Sequence, residues 1–254
     1  MNTRTLSAIT EKHIRGEKMT NRDKLKTFLL NNVEIMEHDG GAGTSIKYPS
    51  FELTSRDFLE FAEIELSKLD NAGLINCVSH IKRAMDCQLD SFLYAYNLYK
   101  PFKDRKLGID KKLDFLNEAG VFSSRSLSRL NIIRNKMEHE YEVPKIQDIE
   151  IYFDLVSAFV SILERHILIL DVYGSSNYRW NNTHNGRISR FSIYYNLAVP
   201  RIEIEWETQE DGEVEISAEI TDINEFSYFL RVFFLLSQFY VHSSKRYIIT
   251  QLQK

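Results

Sequence analysis

From Ala72 to about Tyr99 the apolar residues Leu74, Val78, Ile81, Met85, Leu89, Phe92, Leu93 and Tyr96 step by three and four, with no proline among them. That period lays them along one stripe of a long α-helix, and such a stripe has to be covered by other helices or by a sheet. Ile149 to Val172 repeats the pattern, with Phe153, Val156, Phe159, Val160, Leu163 and Ile167 inward. Four prolines and ten glycines in 254 residues are too few for a turn-rich sandwich or barrel.

Shorter helices are predicted over Arg22 to Glu37 (Leu25, Phe28, Leu29, Val33 and Met36 inward), over residues 111–120, and from Ser124 to about Tyr141, where Pro144 forbids continuation. Another, capped by Thr54 or Ser55, carries Phe58, Phe61, Ala62, Ile64, Leu66 and Leu69 and follows the break at Asp39-Gly40-Gly41-Ala42-Gly43. After residue 173 the period changes. Arg190 to Asn196 is aromatic-rich, while Ile202 to Glu207 and Val214 to Ile216 alternate apolar with polar around Asp211-Gly212, the pattern of a β-hairpin or three-strand meander. Thr221 to Val241 is helical in period yet apolar on nearly every side, which predicts burial between layers or in a subunit interface. The expectation is a mainly α fold. Residues 1–53 form an extension with one short helix, 54–172 an up-and-down helical bundle, and 173–254 an α+β elaboration made of a small antiparallel β-meander and an apolar helix.

With 43% hydrophobic and 27% charged residues the chain can bury a sizeable core. A formal charge of −4 excludes a uniformly basic nucleic-acid binder but permits local patches. The greasiest stretch, Val232 to Leu236, is bounded by Arg231 and Gln238, so no membrane span is expected. The first 25 residues hold Arg4, Lys12, Arg15, Lys18, Arg22 and Lys24 without an apolar block, which points away from a secretory signal and toward the cytoplasm. Cys77 and Cys87, ten residues apart in one helix, cannot bridge and read as reduced thiols.

The chemistry-bearing stretch is Asn131 to Tyr141, which sets Arg134, Asn135, His139 and Tyr141 near the end of one helix. Arg134 and His139, five apart, are separated by roughly 140° around the axis, a gap that arginine's length can close. Asn135 and His139 share a face, as do Arg134 and Glu138. The plain reading is an Arg134–Glu138 pair, a solvated Asn135, and a histidine favoured at a helix C-terminus.

The arrangement of Arg134, four residues, His139, one residue and Tyr141, with Asn135 directly after the arginine, resembles the signature of the HEPN (higher eukaryotes and prokaryotes nucleotide-binding) superfamily. Ser79 to Asp90 looks like the long helix that precedes the signature in that superfamily, and the similarity covers roughly residues 54–172. The resemblance implies a metal-independent endoribonuclease that needs no cofactor, works as a homodimer pairing two signatures across its interface, and serves bacterial defence or a toxin–antitoxin system. A toxin-type subset has a partner nucleotidyltransferase that silences the enzyme by adding AMP to the tyrosine matching Tyr141; a ring packed against the helices is the competing reading of that residue. Cleaving RNA without metal requires a base for the 2′-hydroxyl proton, an acid for the leaving oxygen and a cation for the phosphorane. Imidazole, with an unperturbed pKa of about 6.5, suits His139 to proton transfer. Arg134 would hold non-bridging oxygens bidentately, and Asn135 would orient either group or the phosphate. Glu138 and Glu140 place acidic charge nearby, which repels phosphate. The alternative is a catalytically inactive HEPN-like module that binds nucleic acid or nucleotide, or one that serves dimerisation.

Residues 100–136 hold ten Lys or Arg and four acids, a net of +6 leading into the signature. Lys103, Arg105, Lys106, Arg129 and Lys136 are the expected RNA contacts. Residues 201–226 hold ten acids and one Arg, a net of −9, which reads as a solvated sheet face or as an acidic lid over the basic patch. No His-Glu-x-x-His, paired Cys-x-x-Cys or phosphate-binding glycine loop occurs, so no metal site is expected. His80 and His166 read as satisfied core histidines. Tyr94, Tyr96, Tyr99 and Phe102 could stack bases, but their helical spacing favours core and rim.

Overall fold

The computed structural model describes residues 19–123, 127–181, 188–239 and 243–253, with residues 128–131 and 134 described by backbone alone. In chain order the elements are α1 (Asn21–Asn32), β1 (Glu37–His38), α2 (Ser55–Leu66), α3 (Asn71–Ala95), α4 (Tyr99–Asp104), α5 (Ile109–Glu118), α6 (Leu127–His139), α7 (Ile146–Val172), β2 (Ser175–Asn181), β3 (Ile188–Asn196), β4 (Arg201–Thr208), β5 (Gly212–Glu219), α8 (Ile223–Ser237) and α9 (Lys245–Leu252). The chain divides into two compact units. A helical unit runs from Thr44 to Val172, and a sheet unit joins the stretch ending at Gly43 to everything from Tyr173 onward.

The fold is mixed α+β, which overturns the mainly α, HEPN-like bundle expected from the sequence. Five strands form one antiparallel sheet in the order β1-β2-β3-β4-β5. Two of them left no usable signal. In β2, Ser-Ser-Asn-Tyr-Arg-Trp-Asn, the alternation of buried Ser176, Tyr178 and Trp180 is disguised by polar neighbours. The two residues of β1 are strand only because they pair with β2, Glu37 against Arg179 and His38 against Tyr178. The helical unit also departs from four helices in series. Its packing centres on α2, α3 and α7, and the helix expected to reach Tyr99 stops at Ala95. Asn97 takes a left-handed turn at φ 53°, and α4 starts afresh with Pro101 in its first turn, where a missing N–H costs nothing.

In the sheet unit, Tyr178, Trp180, Phe191, Ile193, Tyr195, Ile202, Ile204, Trp206, Ile216 and Ala218 are buried. Helix α8 packs on β4 and β5 and is itself covered by α1 and α9, so its all-round apolar surface reflects burial between layers. Nine of its residues are buried, and Tyr178 Oη donates to the Leu236 carbonyl at 2.7 Å. Phe28 of α1 stacks on Trp206 at 4.6 Å and on Phe191 at 5.5 Å, which ties α1 to the sheet. On the opposite face Glu205 stands against Glu215 and Glu207 against Glu213, all exposed. Glu203 is the exception. It is buried, accepting from Asn196 Nδ2 at 2.9 Å, Arg201 Nε at 2.8 Å and the Tyr194 hydroxyl. Burial works against its charge, but these donors prevail and hold its carboxyl below the usual range.

In the helical unit, Thr54 and Asp57 form a reciprocal capping box at the start of α2, and Asp70 caps α3 through the Gly73 N–H at 2.7 Å. Gly73 has to be glycine, because a Cβ there would lie 2.5 Å from the Glu65 carbonyl oxygen where α3 passes the end of α2. The inward face of α2 is Ser55, Leu59 and Ala62, whereas the apolar Ile64 and Leu69 are exposed. Cys77 and Cys87 are both free, and burial pushes the Cys77 thiol up to about 11.

Candidate functional site

Helix α6 packs against α3 and α7 and anchors itself through buried Leu127. Its last two turns leave Asn135, Lys136, Glu138 and His139 exposed. Asn135 and His139 lie one turn apart on one face, and Ile132, seven residues before His139, stands nearly in line with it. Ile132 is also exposed, and with Lys136, Glu142, Val143, Asp148 and Tyr152 it lines a cavity of about 530 Å³ whose walls include neither Asn135 nor His139. The backbones of Arg129 and Arg134 belong to α6, but their side chains lie outside the described residues, and so does the expected approach of Arg134 to His139 or Glu138.

The chain reverses immediately after His139. The Lys136 carbonyl accepts from the Glu140 N–H at 2.8 Å and the Glu142 N–H at 3.4 Å. Tyr141 makes the turn at φ 57°, a conformation usually left to glycine or asparagine, and its side chain is 87% exposed. The ring is therefore not packed against the helices, and the hydroxyl is accessible. Lys136 Nζ sits 3.6 Å from Glu142 Oε2, so a phosphate would compete with a carboxylate for it.

Much of the positive charge before α6 is paired. Lys100 binds Asp104, Lys111 lies 3.6 Å from Asp114, and Lys112 donates to Asp90 at 2.9 Å. Lys103 and Lys106 have no carboxylate partner among the described residues and are exposed, as is Arg105. Lys103 Nζ lies 5.7 Å from the Tyr99 ring, which stacks on Tyr94 at 4.2 Å, and Phe51 meets Tyr94 edge-on at 5.8 Å. Tyr94 is exposed and Tyr99 half-buried, whereas Tyr96 and Phe102 are core residues.

His166 is a satisfied core histidine, with Nδ1 bonded to the Ile162 carbonyl at 2.8 Å and its pKa lowered chiefly by burial. His80 is not. It lies between the Phe58 and Phe61 rings with a buried Nδ1 that has no hydrogen-bond partner among the described residues, and burial again lowers its pKa.

Sequence reasoning passed over a second cavity of about 430 Å³ in the helical unit, bounded by Tyr48, Phe51, Ser55, Gln88, Ser91 and Leu168 among others. The signal for it was present. Gln88 lies on the same stripe of α3 as Met85, Leu89 and Phe92, and a polar side chain on a buried stripe calls for a partner. Among the described residues no cluster of His, Cys, Asp or Glu is placed to hold a metal, and no helix is long and apolar enough to cross a membrane. No protein-family model, no curated protein and no solved structure matches this chain.

Proposed function

We propose that the helical unit is a metal-independent endoribonuclease with the chemistry implied by the HEPN resemblance, acting as a homodimer in bacterial defence or in a toxin–antitoxin pair. The observation that supports this most is the joint exposure of Asn135 and His139, one turn apart at the end of α6. In this reading His139 of one subunit takes the 2′-hydroxyl proton, His139 of the partner subunit gives a proton to the leaving oxygen, Arg134 binds the non-bridging oxygens, and Asn135 orients the phosphate. Two subunits supply the two proton-transfer groups that one histidine cannot supply at once. Lys103, Arg105, Lys106, Arg129 and Lys136 carry the strand by its phosphates. Tyr141, exposed beyond the helix end, is accessible to a nucleotidyltransferase that would silence the enzyme by AMP transfer. The unpaired Cys77 and Cys87 accord with a reducing compartment, and the reading puts the protein in the cytoplasm.

The test is incubation of the purified protein with total RNA and excess chelator. Cleavage leaving 2′,3′-cyclic phosphate and 5′-hydroxyl ends is the expected result, and intact RNA at every enzyme concentration refutes it. A second reading, a module that binds nucleic acid without cutting it, is favoured by the Lys136–Glu142 pair and the exposed Glu138 and Glu140, which weaken phosphate binding at the α6 terminus. Retention of RNA without cleavage would select it.

A further inference from the structure

The 430 Å³ cavity of the helical unit has the chemistry of a binding site. Gln88 is 3% exposed, and its Oε1 accepts from Ser55 Oγ at 2.6 Å. Its amide nitrogen has no hydrogen-bond partner among the described residues, although the side chain lines the cavity. Polar groups turned away from bulk water are almost always paired, so this open donor on the cavity wall is one that water fills and that a ligand can take over. One turn further along α3, Ser91 lines the same cavity; its Oγ donates to the Cys87 carbonyl at 2.8 Å, touches the Cys87 thiol, and has acceptor capacity left for a ligand donor. The two residues are neighbours on the helix surface, so the floor offers a donor and an acceptor side by side. At the mouth stand three large side chains more exposed than such groups usually are: Tyr48 at 66%, Phe51 at 40% and Leu168 at 58%. The rim charges cancel, since Arg56 grips both oxygens of Glu164 at 3.0 and 2.5 Å.

We propose that this cavity binds a nucleobase. The walls favour a flat ring, the floor reads an edge on which an acceptor adjoins a donor, and the neutral rim gives no hold to a phosphate or a carboxylate. The volume lies within the range of small-molecule sites. The base has two sources, a free nucleoside or a residue splayed from a single strand, and the site does not depend on the ribonuclease reading.

Calorimetric titration of the full chain separates these sources. One arm uses adenosine, guanosine, cytidine and uridine, and the other uses a 2′-O-methyl oligonucleotide of mixed sequence, which cannot be cleaved by 2′-hydroxyl attack. The expected result is binding of at least one nucleoside at millimolar concentration or tighter. Gln88→Leu removes the donor and Leu168→Arg blocks the mouth from an exposed position, and each weakens binding at least tenfold. Binding of the oligonucleotide alone, weakened by the same two variants, assigns the site to a strand. Failure of both ligands to bind, or binding that both variants leave unchanged, overturns the proposal. Because neither arm measures cleavage, a failed ribonuclease assay has no bearing on the outcome.

Discussion

Replacing Phe28 by alanine should destabilise the sheet unit selectively. Phe28 is 4% exposed and its ring meets three others: Trp206 at 4.6 Å, Phe191 at 5.5 Å and Trp180 at 6.1 Å. Truncating a buried phenylalanine costs about 3–5 kcal/mol in lost transfer energy and residual cavity. The upper half of that range applies here, because each aromatic pair adds about 0.5–1.5 kcal/mol beyond its buried area. Domains are stable by only about 5–15 kcal/mol, so the loss is a large share of the total. The assay is built into the chain. Trp180 and Trp206 are its only tryptophans, both are buried against Phe28, and both belong to the sheet unit. Urea unfolding followed by tryptophan fluorescence should shift its midpoint down by about 2 M, taking a slope near 2 kcal/mol/M. A shift equivalent to less than about 1 kcal/mol would show that α1 is not docked on the sheet, and the packing argument would fall.

Two further expectations concern charge. Glu205→Lys replaces a like-charged pair opposite Glu215 with an attractive one and should stabilise the sheet unit by about 0.2–1 kcal/mol in low salt, with the gain fading in 1 M NaCl; a loss of stability in the same fluorescence titration contradicts the register. Burial lowers the pKa of His166 in the fold, so the unfolded chain takes up its proton first as pH falls. Stability of the helical unit is therefore complete above about pH 6.5 and declines below it, by up to about 1.4 kcal/mol per pH unit. Far-UV circular dichroism in urea at pH 7.5 and 5.5 checks this. His166→Gln should flatten the dependence, leaving a remainder from His80, whose pKa shifts the same way. An unchanged slope refutes the assignment.

What could be read from the sequence tracks how far apart the interacting residues are. The long helices were legible because three-and-four spacing is local, and Thr54 announced its cap. Strands β3, β4 and β5 alternate visibly and pair with immediate neighbours. Strands β1 and β2 do not, because what makes Glu37 and His38 a strand is Tyr178 and Arg179, far away in sequence. The break at Asn97 escaped notice because an asparagine in a left-handed turn looks like any polar residue on a helix. At the candidate site, spacing gave the shared face of Asn135 and His139, but nothing local foretold that Glu142 would neutralise Lys136 or that Tyr141 would turn the chain. Gln88 lies on the buried stripe of α3, but its partner Ser55 and the rest of the cavity lining come from other elements, which no local spacing reveals.

The central claim is that the His139 imidazole carries out proton transfer on RNA. Single-turnover cleavage in chelator, compared between the unmodified chain and His139→Ala, tests it most directly, with RNA affinity measured alongside. The account predicts a rate at least about 100-fold lower, the size of a lost general acid or base, with affinity unchanged within a few-fold and the fold intact because the residue is exposed. Cleavage by His139→Ala at the unmodified rate would contradict it.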